Sequence, residues 1–538
     1  MSNPIPFPDR HHAAPLGANG NESSDAIATT HHLATQAGLD MMRAGGNAVD
    51  AAIAANAVLG VVLPDTCGPG GDLFAIVHVP GKPAPLALNA SGRSGSGARA
   101  SDVRSAGMSE VPLRSPWTVT VPGCVDGWEA LQGELGSRTM AQLLEAAVSA
   151  ARDGFEVAPE LADSLRRLHP VIGGQPAALS LYPKGLTPKA GDTITRPDLA
   201  TTLEALATGG RDAFYQGPVG AGIREATEGM VTAADLTARQ AEWVEPLQLS
   251  VFGLDAWTVP PNSQGYITLA GTWIAERLAP VPDPADPAYH HALIEAYRAA
   301  AWDRDDVVAD PDTAPLASQA LVEEGRLDAR RSLIRPDAVA AWPSSAHVPG
   351  GTMYLCTRDA SGLAVSLIQS NFHGIGSGLA AGPTGVFLHN RGAGFTLRAG
   401  HPNELMPRRR PLHTLSPTLW TSAGRLRLVL GTRGGQYQPQ LLLQLAAHHL
   451  LAGLDLDSAM AVPRWTVDHW GAGEEHLVTT EEAAGPGIIE GLRERGHRVE
   501  PIHGWQPGWG PMAAICETGA GVHAAADPRV STSAAAAG

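Results

Sequence analysis

Apolar residues change their period along this chain. Over 32–44 they recur at helical spacing and stop at Gly45-Gly46; a second, almost wholly apolar helix follows, N-capped by Asp50 and running through Leu59. Two buried helices therefore meet at a tight turn. Past Pro64-Asp65, a glycine-rich turn (Cys67-Gly68-Pro69-Gly70-Gly71-Asp72) leads into an unbroken apolar run from Leu73 to Val79, which reads as a strand. The turn lacks GxGxxG spacing, which excludes a dinucleotide fingerprint. From about 140 to 300 helical spacing dominates, as in Leu143-Leu144 with Ala147-Val148 and in Leu199, Leu203 and Leu206, and predicts a helical layer. Beyond Tyr354 the pattern shortens to strand-like runs at 363–369, 385–388 and 426–430, and helices return over 438–451 and 481–495. Helices outside and strands inside predict a layered α/β architecture. The alanine-rich end after Ser531 reads as frayed.

One strand-like run opens unusually, with Gly350-Gly351-Thr352 ahead of Met353-Tyr354-Leu355-Cys356. A threonine hydroxyl is a poor nucleophile at neutral pH, but if the Gly351–Thr352 bond is cut, the freed α-amine of Thr352 can serve as base for its own hydroxyl. An α-amino group has an unperturbed pKa of about 8, suited to proton transfer near neutrality. Glycines ahead of the bond tolerate the backbone that an N-to-O acyl shift requires. The same tripeptide also fits a plain loop before a strand.

Composition narrows the classes. With 538 residues, 44% of them hydrophobic, the chain can bury one large core or two ordinary ones. The 61 Gly and 43 Pro imply short elements joined by tight turns rather than long bundles. A net charge of −16 has the wrong sign for a phosphate backbone, and only Arg408-Arg409-Arg410 forms a basic block, so nucleic acid is not an expected partner. Cys67, Cys124, Cys356 and Cys516 make no CxxC pair, which points to buried thiols in a reducing compartment and to neither a zinc nor a redox site. Residues 1–14 have no signal-peptide pattern, and the longest apolar stretch, 51–63, is too short to span a bilayer. A cytoplasmic protein without a membrane partner is expected.

No GxSxG elbow, HExxH or P-loop is present, and the pairs His31-His32, His290-His291 and His448-His449 lack ligand spacing. What the chain carries is an ordered series: Gly45-Gly46-Asn47-Ala48-Val49-Asp50-Ala51-Ala52, Gly68-Pro69-Gly70-Gly71, Pro122-Gly123, Ala151-Arg152-Asp153-Gly154-Phe155, Pro197-Asp198-Leu199-Ala200, Phe214-Tyr215-Gln216-Gly217, Asp303-Arg304, Gly376-Ser377-Gly378, Arg410-Pro411 and Gly431-Thr432-Arg433-Gly434-Gly435. In content and order it resembles the γ-glutamyltranspeptidase family over about 30–460. The resemblance implies a four-layer αββα N-terminal-nucleophile (Ntn) hydrolase sandwich, made as one precursor that cuts itself into a large and a small subunit.

The family's nucleophile falls on Thr352, in a register set by Gly362, Ala364-Val365, Gly376, Gly378, Gly385, Asn390 and Phe395. Cleavage between Gly351 and Thr352 would then give fragments 1–351 and 352–538, which stay together as one folded unit; a homodimer of that pair is open. The resemblance further implies an oxyanion hole at Gly434-Gly435, a second hydroxyl at Ser370 that bonds the nucleophile and aids processing, and a carboxylate-binding Arg93. The family's substrate asparagine corresponds to Phe372, so a contact from Asn371 beside it requires a local shift. No cofactor and no metal are implied; the partner is a small-molecule acyl substrate.

The chain departs from the family where transpeptidases hold the glutamyl amine and carboxylate. The expected amide is Arg391, the expected acid is Gly394, and the serine pair is His413-Thr414. A substrate ammonium about 4 Å from an inward-facing Arg391 would be repelled by roughly 4 kcal/mol at an effective dielectric of about 20, nearly a thousandfold in binding. Arg93 and Arg391 instead suit an acyl group with a carboxylate and no amine, such as an oxalyl, keto-acid or glutaryl-like group; the other reading of Arg391 is a guanidinium turned outward to a surface acid. His413 is either a donor to substrate or a satisfied structural histidine. The expected activity is amide hydrolysis through a Thr352 acyl-enzyme, with transfer to an amine secondary. Against it stand a conventional γ-glutamyl hydrolase or transpeptidase, a C–C-cleaving hydrolase of a natural-product pathway, and a non-catalytic binding protein of the same fold.

Overall fold

The computed structural model describes residues 17–21, 24–343, 345–346, 350–470, 477–519 and 521–538, and the leader reading of 1–14 lies outside them. Two seven-stranded antiparallel sheets organise the chain. The first runs Ala534–Ala537, Ala26–Thr29, Gly351–Arg358, Ala364–Phe372, Asp72–His78, Leu86–Ala90, Glu242–Val244; the second runs Gly17–Gly20, Gly521–Ala526, Met512–Thr518, Arg425–Thr432, Thr418–Ser422, Leu254–Thr258, Leu247–Val251. Both sheets mix strands from before and after Thr352.

The central strands are buried on both faces, which is why Asp72–His78 and Ala364–Phe372 read as apolar runs without alternation. Phe74, Ile76, Tyr354, Cys356, Ile368, Leu419, Val429 and Ile515 fill the space between the sheets. The outer face of the first sheet packs on a helical layer containing Ala48–Val62 and Met140–Asp153, and that of the second on Tyr266–Leu278, Pro287–Ala301 and Gln438–Ala446. The result is the expected αββα sandwich. All four cysteines are buried and unpaired, and among the described residues no helix is long and apolar enough to cross a membrane.

Several boundaries differ from the sequence reading. The second helix runs Ala48–Val62, and its cap is Asn47; Asp50 stands at the third position of a capping box, its carboxylate accepting from Asn47 N at 2.9 Å. The expected helical layer is interrupted by Glu242–Val244, Leu247–Val251 and Leu254–Thr258. The 385–388 stretch makes only an isolated bridge between Phe387 and Ala380, with Gly385 at φ +73°. The alanine-rich end does not fray: Ala534–Ala537 pairs in register with Ala26–Thr29, whose backbone groups supply the partner that local sequence could not reveal.

Candidate active site

Thr352 sits at the start of a central strand, where the ladder between Gly351–Arg358 and Ala364–Phe372 shifts register by a bulge between Gly351 and Met353. Bulges re-aim side chains, and here Thr352, fully buried, is turned onto the preceding peptide. Its Oγ1 lies 2.7 Å from Gly351 O and 3.2 Å from Ser370 Oγ. The Ser370 hydroxyl donates to the same Gly351 carbonyl at 2.7 Å and accepts from Phe372 N at 2.7 Å. Two hydroxyls thus converge on one backbone carbonyl in the uncut chain.

Gly434 and Gly435 leave the strand Arg425–Thr432 at φ +125° and +58°, conformations that disfavour a side chain. Gly435 abuts the segment ahead of Thr352: a side chain at Gly350 would meet Gly435 Cα at 3.2 Å. Gln264, which sequence reasoning missed, anchors this loop by donating to both Thr414 O and Gly435 O at 3.2 Å.

Arg391 points inward. Its guanidinium is fully buried, donates to Thr414 Oγ1 at 3.1 Å and Ser370 Oγ at 3.2 Å, and lies 4.0 Å from the centre of the Phe372 ring. Burial pushes it down to about 9, with Asp72 pulling the other way. Asp72, also missed, is the buried anion behind the site. Its Oδ1 accepts from Gly92 N at 2.9 Å and Gly123 N at 3.1 Å, and its Oδ2 faces His413 Nε2 at 3.2 Å and His389 Nδ1 at 3.5 Å. Burial alone would raise its pKa, but His389, His413 and Arg391 hold it at about 2. The available signal was a lone carboxylate heading an otherwise apolar strand. His413 Nδ1 accepts from Leu415 N at 3.3 Å, so the proton on Nε2 goes to Asp72; burial and then Arg391 lower its pKa to about 3 and keep it neutral.

A cleft of about 380 Å³ opens beside this cluster, lined by Phe372, Gly394, Thr414 and Gln436 and by Arg304, Asp306, Arg398 and His401. Leu412 and Thr414 face it, while His413 between them turns to Asp72. Asn371 points to the glycine turn, where a side chain at Gly71 would meet its Oδ1 at 2.6 Å, and that buried oxygen has no hydrogen-bond partner. Arg93 lies apart: it pairs with Glu242 at 2.6 Å in a different cleft of about 390 Å³ shared with Arg239 and Arg408. The structure therefore brings together Thr352, Ser370, Arg391 and Thr414, with the Gly434-Gly435 loop against Gly350, and leaves Arg93, Asn371 and the His413 ring facing elsewhere. Among the described residues no group of acids, histidines and cysteines is arranged to hold a metal ion.

The family model described as Gamma-glutamyltranspeptidase matches residues 34–537. The chain is 34% identical over 514 residues to a glutathione hydrolase-like YwrD proenzyme of Bacillus subtilis, covering 94% of this chain and 96% of that protein. It is 35% identical over 534 residues to an oxamate amidohydrolase proenzyme of Klebsiella pneumoniae, covering 96% and 99%. The crystal structure of a cephalosporin acylase from Bacillus halodurans superimposes with a TM-score of 0.89 at 30% identity, covering 100% of this chain and 99% of that one.

Proposed function

Because this chain belongs to the gamma-glutamyltranspeptidase family, we propose that it is a self-processing Ntn amidohydrolase whose nucleophile is Thr352 and whose acyl substrate carries a carboxylate but no free α-amine. The observation that carries the reading is the convergence of the Thr352 and Ser370 hydroxyls on the Gly351 carbonyl, at 2.7 Å each. Proteins similar to this chain are proenzymes, among them amidohydrolases and acylases.

In processing, Thr352 Oγ1 adds to the Gly351 carbonyl carbon while Ser370 donates to its oxygen; the Gly351–Thr352 C–N bond breaks, and the departing nitrogen takes up the hydroxyl proton. Water then hydrolyses the resulting ester, leaving a Gly351 carboxylate, the Thr352 hydroxyl and a free α-amine. In catalysis that amine accepts the Thr352 hydroxyl proton as Oγ1 adds to the substrate carbonyl. In this reading the Gly434 and Gly435 amides donate to the oxyanion, a contribution of about 3–4 kcal/mol per donor. The amide C–N bond breaks, the leaving amine takes the proton from the α-ammonium, and water resolves the acyl-enzyme.

Substrate charge follows from Arg391. Its inward guanidinium repels an ammonium and suits a planar carboxylate, and with Arg93 committed to Glu242 the anion would rest on Arg391 alone. This disfavours the γ-glutamyl reading. A cytoplasmic setting accords with the four buried thiols. Denaturing electrophoresis with intact mass measurement tests the nucleophile: wild type gives fragments 1–351 and 352–538, and Thr352→Ala stays whole. A wild type that never cuts removes the reading. Hydrolysis of a γ-glutamyl anilide as fast as that of an amine-free acyl amide removes the substrate assignment.

A further inference from the structure

A buried guanidinium with no carboxylate in contact is costly unless an anion can join it. Arg391 is in that position: its Nη atoms reach the hydroxyls of Ser370 and Thr414, its Nε has no partner, and the nearby acid, Asp72, engages His413 instead. The guanidinium is also shut off. Phe372 lines the cleft and stacks its ring 4.0 Å from the guanidinium carbon, while Arg391 itself has no exposed surface.

Phe372 occupies an unfavourable backbone conformation to do this. Its φ is +74°, in the left-handed region that a bulky side chain rarely enters and that persists where the surroundings over-determine it. Two contacts impose it. Phe372 N donates to Ser370 Oγ at 2.7 Å, and Phe372 is the ladder partner of Gly351. Gly350 lies alongside it: a side chain at Gly350 would be in van der Waals contact with Phe372 O at 3.4 Å and the ring Cδ2 at 3.7 Å.

We propose that Phe372 is a gate over a carboxylate-binding site made by Arg391, held shut in the uncut chain by Gly350-Gly351 and opened when the Gly351–Thr352 bond is cut. The trigger rests on Thr352 as the self-cleaving residue; the carboxylate site itself does not. Hydrolysis by water turns Gly351 into a chain end bearing a carboxylate, which is drawn toward solvent and no longer anchored covalently to the strand. Phe372 then loses its ladder partner, its backbone relaxes out of the left-handed region, and the ring leaves the guanidinium. The site so exposed takes the planar carboxylate of a short acyl group, and the precursor cannot bind substrate before it is processed.

Calorimetric titration with succinate, a dicarboxylate with no amide bond to cut, tests the gate. Processed wild type is expected to bind about tenfold more tightly than uncut Thr352→Ala, and uncut Thr352→Ala/Phe372→Gly to recover to within about threefold of the processed enzyme. Glycine relieves the positive φ, and Phe372→Ala serves if the glycine variant does not fold. Adding Arg391→Gln to the double variant should abolish the recovery. Equal binding by uncut Thr352→Ala and processed wild type, recovery that survives Arg391→Gln, or no binding to any form overturns the proposal. If wild type never cuts, the Thr352 reading and the trigger fall, while the Phe372→Gly and Arg391→Gln comparison, made wholly in uncut protein, still decides the carboxylate site.

Discussion

At the scale of single residues, the site depends on a charge that touches neither Thr352 nor the cleft. Asp72 is fully buried, ionised, and bonded to two backbone amides and His413. Replacing it by Asn leaves Arg391 without its nearby anion, and breaking such a buried set costs about 3 kcal/mol. Its folded pKa, about 2 against an ordinary 3.8, makes the effect depend on pH. A depressed carboxylate stabilises above its unfolded pKa and loses that contribution as pH falls through the folded one. Urea unfolding of Asp72→Asn in the uncut Thr352→Ala background should therefore show a deficit of about 3 kcal/mol at pH 7 that narrows from about pH 4 to pH 2. His31 and His373, held neutral to about 3 and 4 chiefly by burial, add acid-side losses of their own below about pH 6.5 that both proteins share; His413 and His389 face Asp72 and change with it, so the difference between the two proteins reports Asp72 together with these two rings. A deficit that is the same at every pH would mean that Asp72 acts by shape and not by charge.

At the scale of elements, what was legible was whatever local chemistry determines. The helix at Ala48–Val62 is buried at every position and its sequence is apolar but for Asp50 and Asn56; Thr352 lies beside Ser370, while Arg391, left open between inward and outward by the sequence, turns in to Ser370 and Thr414. What escaped depends on partners far away in sequence. Arg93 is answered by Glu242 because the strand Glu242–Val244 pairs with Leu86–Ala90, setting Glu242 opposite Asn89. The hairpin of Leu247–Val251 and Leu254–Thr258 did have a local signal, alternating Leu247, Leu249 and Val251 ahead of Phe252-Gly253, but surrounding helical spacing hid it. The alanine end is the sharpest case. Alanine favours helix, yet Ala534–Ala537 forms a strand because Ala26–Thr29 offers an open edge, and the approach is fixed by Thr532 Oγ1 to Thr30 O at 2.8 Å and Thr35 Oγ1 to Ala534 O at 3.1 Å. Removing residues 534–538 uncovers that edge. At about 1 kcal/mol per lost hydrogen bond, the truncated protein should be about 3 kcal/mol less stable in urea and more prone to aggregate. Unchanged stability would show that the strand contributes nothing to the sheet.

At the scale of the whole molecule, the bond at Gly351–Thr352 divides the sequence without dividing the fold. In the first sheet, Gly351–Arg358 lies between Ala26–Thr29 and Ala364–Phe372, which in turn pairs with Asp72–His78; in the second, Thr418–Ser422 pairs with Leu254–Thr258. The core between the sheets draws Phe74 and Ile76 from one side of the bond and Tyr354, Ile368, Leu419 and Ile515 from the other. Neither piece has a complete sheet or a complete core, so separation would expose central strands with all their backbone donors and acceptors. A cut of one peptide frees at most the Gly351–Phe372 pairing at the strand's end and leaves the pairings from Met353 to Arg358 in place. The processed protein should therefore elute under native conditions as one species containing both fragments, at the mass of the whole chain or of its dimer, and come apart only in denaturant. For the same reason, 352–538 produced alone should be insoluble or unfolded and should regain structure only when refolded together with 1–351. A lone 352–538 fragment that melts cooperatively would show two separable domains and contradict the interleaved sheets, because Gly351–Arg358 and Ala364–Phe372 would then have to be stable without the strands that flank them.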